Sequence, residues 1–232
     1  MKGAICMQKT EMPTMEEMEL TVSGRPAPLS DVMKEFRTQM HLYAAGIRTV
    51  VMKLETMDEE FHAKYDYNPI HHIESRLKEP RSIFDKMNRL GIAATIEEMK
   101  KSLTDIAGVR VICNYISDTE KVAELLLKQD DVELIRKSNY ITHPKESGYR
   151  SLHLVVSVPV YLSERTERVP VEVQIRTIAM DCWASLEHHL RYKAAGDVPE
   201  DLRYRLKICA MAISEVDTEM QEIKRAMDRL PR

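Results

Sequence analysis

The chain has 232 residues, with 34 basic against 37 acidic side chains and a formal charge of -3. That length allows one good core with appendages, and the balance gives no net attraction to nucleic acid or an anionic membrane, so any polyanion site has to be local. The apolar runs fall far short of the roughly 20 residues that span a bilayer, and MKGAICMQKT lacks the apolar block of a signal peptide, so a cytoplasmic protein is expected.

Residues 1–28 are polar and irregular with three prolines and read as a flexible tail, ahead of a single domain over residues 29–232. From Met33 to Met57 the apolar series Met33, Phe36, Met40, Tyr43, Ile47, Val50, Leu54, Met57 alternates steps of three and four, the stripe of one long helix, which Gly46 weakens only slightly. A helix is predicted from about Pro69 to Leu90, a short one near Ile96 to Ser102, then a strand in IAGVRVICNYI ending at Ile116. Ser117 and Asp118 offer a cap for a helix from Thr119 to Lys128, followed by a strand near Val132 to Ser138, the loop HPKESG and a strand from Tyr149 to Val158. From Val169 to Arg176 the apolar period is two; after Thr177 it becomes helical through Trp183, Leu186 and Leu190. A last helix, at about 198–230 and capped by Asp197, carries the stripe Leu202, Leu206, Cys209, Ile213, Val216, Met220, Ile223, Met227 and Leu230. The two long stripes either pack on each other and the sheet or form a subunit interface; the first is expected. The sum is an α+β fold, a mixed sheet of about five strands flanked by helices.

Several stretches carry chemistry. On a helix, Ser82, Lys86 and Arg89 share a stripe within the basic cluster Arg76, Lys78, Arg81, Lys86, Arg89, which suits either a phosphate chain or a solvated face. Asp105 stands just ahead of an apolar strand beside Gly108, as a metal-binding carboxylate or as the end of the preceding helix. In HPKESGYRSLHLVV, alternation puts Tyr149, Ser151 and His153 on one face behind the cation Lys145. An aromatic ring there could hold a nucleobase, worth roughly 1–3 kcal/mol, or form a surface pair with the histidine. Glu172, Gln174 and Arg176 share the polar face of their strand opposite Val171, Val173 and Ile175, where they could bind a metal and phosphates; from spacing alone a solvated sheet face is the simpler reading. The pairs His71-His72 and His188-His189 read as surface residues, and Cys6, Cys113, Cys182 and Cys209 form no CxxC pair that would mark a zinc or disulfide framework.

Taken together, PIHHIESRLKEP, LTDIAGVRVIC, HPKESGYRSLHLVV and VEVQIRTIAMDCWASLEHHLRYK resemble the RelA/SpoT-type synthetase domain in its single-domain form, the small alarmone synthetases, and are closer to the RelP branch than to RelQ. The resemblance implies a nucleotidyltransferase-like fold with a catalytic core over about 69–193. It also implies transfer of the β,γ-pyrophosphate of ATP to the ribose 3′-hydroxyl of GTP or GDP, giving pppGpp or ppGpp and AMP in the stringent response. On it, Asp105 and Glu172 look like ligands of a catalytic Mg²⁺, with Glu172 also placed to accept the 3′-hydroxyl proton, a role that coordination to Mg²⁺ would weaken. Arg76 and Arg110 resemble the pair stacking on adenine; Lys78, Ser82, Lys86 and Arg89 match positions holding the ATP phosphates. Tyr149 matches the stacker on guanine, with Lys145, His153 and Gln174 near its ribose and phosphates. Strand parity does not place Asp105 and Arg110 on one face, so a bulge or the strand entry has to resolve that. Asp181 stands where RelQ-like relatives have an amide, and its carboxylate suits the N1 and N2 hydrogens of guanine. The dipeptide His71-His72 replaces a different pair linked to product regulation, and a synthetase without hydrolase activity, assembled as a homo-oligomer, a tetramer, is expected. Against this stand a toxin-like enzyme acting on the 3′ end of tRNA, disfavoured by the charge of -3, and a catalytically silent nucleotide- or RNA-binding module, which has no need of paired metal carboxylates.

Overall fold

The computed structural model describes residues 21–22, 25–26, 29–193 and 198–230. Most of the expected tail and the Asp197 cap lie outside the described residues; within the tail, β1 (Thr21–Val22) and β2 (Arg25–Pro26) pair antiparallel. The chain divides into two compact units, residues 1–39 with 79–103 and residues 40–78 with 104–232. α1 (Leu29–Lys64) supplies its first turns to the smaller unit and the rest to the larger.

In the smaller unit Phe36 of α1 stacks on Phe84 of α2 (Pro80–Leu90) with ring centroids 5.8 Å apart, and Ile83, Met87, Ile96 and Met99 are buried. Pro80 opens α2 and Gly91 closes it with φ of 65°. α3 (Ile96–Ser102) is capped by Thr95, whose hydroxyl accepts the Glu98 N–H at 3.2 Å.

The helix expected from Pro69 to Leu90 is two elements. Ile70–Leu77 is a strand, β3, and only Pro80–Leu90 is helical. A proline suits the first turn of a helix but not its middle, and pairing with β4 satisfies the backbone of IHHIESRL in a way that local pattern could not reveal. His71 and His72 are exposed, at a register shift in that pairing.

The larger unit is built on the sheet β3-β4-β7-β6-β5, in which β4 (Ala107–Cys113) runs parallel to β7 (Thr166–Thr177) and every other pairing is antiparallel. β5 (Glu133–Asn139) and β6 (Leu152–Tyr161) complete it. Val109, Val111, Leu154, Val156, Val171, Val173 and Ile175 are all buried, as alternation predicts. The crossover from β4 begins with α4 (Ile116–Leu127), which packs on β4, β6 and β7. It starts earlier than expected because β4 ends at Cys113. Asp118 therefore sits at the third helical position and caps by accepting the Tyr115 N–H at 3.1 Å.

α1 buries Tyr43, Ile47, Val50, Leu54 and Met57, as its stripe requires. Gly46 matters more than its helix propensity suggested, since a Cβ there would stand 2.7 Å from Val169 Cγ1. The C-terminal helix α6 (Glu200–Met227) reverses expectation. It buries Ala210, Asp217 and Gln221 and leaves Val216, Met220, Ile223 and Met227 exposed. Polar contacts hold it. The Thr177 hydroxyl donates to Asp217 at 2.7 Å, the Ser117 N–H to Gln221 at 2.8 Å, and Trp183 Nε1 on α5 (Ile178–Lys193) to the Leu206 carbonyl at 3.0 Å. No described helix is long and apolar enough to cross a membrane.

The close approach at Gly46 is testable. Gly46→Ala gains about 1 kcal/mol of helix propensity but forces its methyl against a stiff valine, an overpacking cost of about 1–3 kcal/mol. A net loss of about 1 kcal/mol in urea unfolding is expected, with a larger loss for Gly46→Leu.

Candidate active site

The parallel register between β4 and β7 pairs Gly108 with Glu172 and Arg110 with Gln174, and the antiparallel neighbours extend both rows, with Arg76 opposite Gly108, Glu74 opposite Arg110 and His153 opposite Gln174. Paired residues share a face, so the polar side of the sheet carries two adjacent rows of charged and hydrogen-bonding groups. A cavity of about 500 Å³ opens over them, lined among others by Arg76, Lys78, Asp105, Arg110, Glu172 and Gln174. Gly108, between Arg76 and Glu172, contributes no side chain to its floor.

Asp105 reaches this cavity from the strand entry. β4 begins at Ala107, so residue 105 is not bound by strand parity, which resolves the conflict with Arg110. The Lys78 N–H bonds to the Ile106 carbonyl at 2.9 Å, aligning the end of β3 with this entry, and Lys78 Nζ lies 2.8 Å from Asp105 Oδ2. Glu172 shares the cavity and feels the Asp105 charge. Its burial works to raise its pKa, yet contacts from His153 and Gln174 bring it below the ordinary carboxylate value despite Asp105. Two carboxylates converging beside a cation, without a third histidine, cysteine or acid among the described residues, make a poor complete cage for a tightly ligated metal. They fit Mg²⁺, which is held by one or two carboxylates and takes its remaining ligands from phosphates and water.

On the other side, the loop 139–149 turns on backbone bonds from Lys145 N–H to the Tyr149 carbonyl (3.1 Å) and from Gly148 N–H to the Lys145 carbonyl (2.8 Å). Gly148 has φ of 90°, and a Cβ on it would lie 2.5 Å from the Ala210 Cβ of α6. Lys145 Nζ stands 4.9 Å over the Tyr149 ring and 4.6 Å over that of Tyr140. The Tyr149 hydroxyl lies 2.8 Å from His153 Nε2, and His153 Nδ1 lies 3.4 Å from Glu172 Oε1. Tyr149 precedes β6, so it reaches His153 from the loop and not by strand alternation. Ser151 is not on their face but buried, its hydroxyl donating to the Ile175 carbonyl at 3.2 Å.

Asp181, in the first turn of α5, accepts from Arg176 Nη1 at 2.9 Å and lies 3.4 Å from Arg110 Nη1, while Arg110 also donates to Glu74 at 3.0 Å. Asp181 thus joins the residue matched to adenine stacking with the strand matched to the acceptor. Ser82, Lys86 and Arg89 lie on α2 of the smaller unit; Ser82 and Lys86 are half-buried there and Arg89 is exposed. Sequence reasoning passed over Tyr140 and preferred a solvated face for Arg176. Tyr140 packs edge-on against His153 with centroids 5.2 Å apart, and nothing in its local pattern marks it. Arg176 was visible on the polar face of its strand, but its burial was not.

Residues 75–197 match the region found in RelA / SpoT proteins. The chain belongs to the RelA/SpoT family. It is 41% identical over 211 residues to GTP pyrophosphokinase YwaC of Bacillus subtilis strain 168, an alignment covering 91% of this chain and 100% of that one. Among solved structures it is similar to small alarmone synthetase 1 from Bacillus subtilis bound to its product pppGpp, with a TM-score of 0.78 and 35% identity over 83% of this chain and 98% of that one. The same synthetase bound to AMPCPP gives a TM-score of 0.73 and 33% identity, covering 85% of this chain and 100% of that one. The mixed sheet with flanking helices is thus the fold of the small alarmone synthetases in this family.

The Gly148 geometry predicts a stability defect in the loop before β6. Gly148→Ala combines an unfavourable positive φ with a clash against α6 and is expected to cost about 1–3 kcal/mol of stability. Combining it with Ala210→Gly should restore only the part due to the clash, read by thermal unfolding of the two variants.

Proposed function

We propose that this protein is a Mg²⁺-dependent (p)ppGpp synthetase, a GTP pyrophosphokinase that transfers the β,γ-pyrophosphate of ATP to the 3′-hydroxyl of GTP or GDP. In this transfer the acceptor 3′-oxygen bonds to the β-phosphorus, the bond from that phosphorus to the α,β-bridging oxygen breaks, AMP leaves, and the hydroxyl proton is lost. The observation that carries the reading is the pair Asp105 and Glu172 in one cavity, with Lys78, Arg76 and Arg110 on one side and the Tyr149–His153 pair on the other. The likeness to a GTP pyrophosphokinase along nearly the whole chain supports it, as do relatives holding pppGpp and AMPCPP.

When bound, Mg²⁺ would neutralise phosphate charge between two polyanions, and Asp105 and Glu172 are the residues to hold it. Lys78, which neutralises Asp105 in the free protein, is suited to turn to a phosphate. Arg76 and Arg110 flank the cavity where an adenine would stack, and Tyr149, Lys145, His153, Gln174 and Asp181 are assigned to the guanine nucleotide. Glu172 is held below the ordinary carboxylate pKa, which suits a metal ligand that orients the 3′-hydroxyl better than a base that must keep a proton. A cytoplasmic homo-oligomer, a tetramer, completes the proposal, and the exposed apolar stripe of α6 supports it.

The deciding experiment incubates the protein with ATP, Mg²⁺ and GTP or GDP. AMP and a 3′-pyrophosphorylated guanine nucleotide should form in equal amounts, and Glu172→Gln should lower turnover by about 100-fold or more while leaving ATP affinity largely intact; formation of neither product would sink the proposal. Tyr149→Ala should weaken the acceptor by about 10- to 100-fold with a smaller effect on ATP, measured as separate KM values. A defect confined to ATP would exchange the two nucleotide sites.

A further inference from the structure

Arg176 is buried, with 5% of its surface exposed, and it lies beneath the proposed acceptor residues. Its Nη2 donates to the Tyr149 hydroxyl at 2.6 Å and to Gln174 Oε1 at 2.8 Å, and its Nη1 donates to Asp181 Oδ1 at 2.9 Å. The guanidinium carbon stands 5.2 Å from the centroid of the Tyr149 ring. From Nη2 two polar chains run to the two oxygens of Glu172, one hydrogen-bonded throughout and one closed by a 3.4 Å contact. One passes through the Tyr149 hydroxyl and His153 Nε2, then from His153 Nδ1 to Glu172 Oε1 at 3.4 Å. The other passes through Gln174, whose Nε2 donates to Glu172 Oε2 at 2.8 Å.

A guanidinium has donors only, so the direction of each chain follows from its head. The Tyr149 oxygen accepts from Arg176, and among the described residues the one acceptor within hydrogen-bond distance of its proton is His153 Nε2 at 2.8 Å, so the proton is spent there. That nitrogen is then an acceptor, and the ring proton sits on Nδ1, facing Glu172. Gln174 must turn its carbonyl to Arg176, which leaves its amide hydrogens for the other Glu172 oxygen.

Resting on the proposed role of Glu172, we infer that Arg176 is a positioning residue for the transfer: through Tyr149–His153 and through Gln174 it directs a donor at each oxygen of Glu172 without touching substrate. The same guanidinium fixes Tyr149 and Asp181, so the side chains assigned to the acceptor base and the carboxylate beside the reacting hydroxyl are held by one buried cation. An arginine is suited to this because its planar fork serves three acceptors in fixed directions, which a lysine ammonium cannot reproduce.

Glu172 accepts only and could orient His153 from the opposite end, so the test removes that end first. In Glu172→Gln the terminal group can both donate and accept, and the direction then rests on Arg176 alone. The readout is the tautomer of His153, from the ¹⁵N and ring-proton spectrum of ¹⁵N-histidine-labelled, nucleotide-free protein. It is recorded at about pH 8.5, well above the ordinary imidazole pKa, and assigned with His153→Gln. Glu172→Gln is expected to keep the proton on Nδ1. Glu172→Gln with Arg176→Met should lose that preference. So should Glu172→Gln with Tyr149→Phe, which interrupts the same chain while leaving the buried arginine in place. Loss of the Nδ1–H form in Glu172→Gln alone, or its survival in both double variants, would overturn the inference. In the active protein, Arg176→Met should raise the acceptor KM and lower kcat, about 10- to 100-fold in kcat/KM, and ATP affinity should change less than twofold; an equal loss toward both nucleotides would also overturn it. The tautomer needs no turnover, so a protein that made no alarmone would remove the proposed function and the transfer role with it, while the spectrum would still report whether Arg176 directs His153.

Discussion

The parallel pairing of β4 with β7 is the constraint on which the site depends. Opposite Glu172 and Gln174 it sets Gly108 and Arg110, and β3 and β6 bring Arg76, Glu74 and His153 into the same two rows. Side chains alternate strictly across a strand, so a slip of one residue would send Glu172 into the apolar face and Val173 into the cavity. That apolar face is what fixes the register. Val109, Val111, Val171, Val173 and Ile175 are all buried, and exposing such a set would cost far more than any gain among the polar residues opposite. The reactive face is therefore specified largely by the core behind it.

Within the cavity the electrostatics are unfavourable by construction. Glu172 and Asp105 work against each other, and burial adds to the cost of ionising Glu172. Lys78 offsets the charge of Asp105, while Glu172 is satisfied through His153 and Gln174. The buried Arg176 stands at the head of both chains and also engages Asp181. Under the proposed function, a buried Glu172 set beside Asp105 is a pair a divalent ion would hold together, and that reading favours an enzyme over a silent module of the same fold.

α6 links the loop before β6 to the rest of the larger unit. Its body-facing side is small and polar, with Ala210 against Gly148, Asp217 against Thr177 and Gln221 against the start of α4. Close approach at Gly148 needs a residue without a Cβ on one side and a small one on the other. Leu206 and Ile213 pack inward beside Trp183, while Val216, Met220, Ile223 and Met227 are left facing outward on the helix that braces the tyrosine loop from within.

Much was legible in the sequence because it depends on local periodicity or on residue types in order. The stripe of α1, the short helix Ile96–Ser102, the alternation in VPVEVQIRT and the passage from strand to helix at Thr177 all follow from apolar spacing, which burial in the fold merely enforces. The four motifs also identified the family. What local pattern could not decide was anything set by distant partners. IHHIESRL became a strand because β4 offered it hydrogen bonds. Asp105 joined Glu172 because the sheet ends where it does. α6 turned its stripe outward because polar contacts at Asp217 and Gln221 claimed the other side. Arg176 shows the division most clearly. Its strand face was readable from a period of two, but its burial and its three acceptors come from a loop, a neighbouring residue and a helix that meet only in the folded chain. Periodicity determines which way a side chain points, and only tertiary contact determines what it meets.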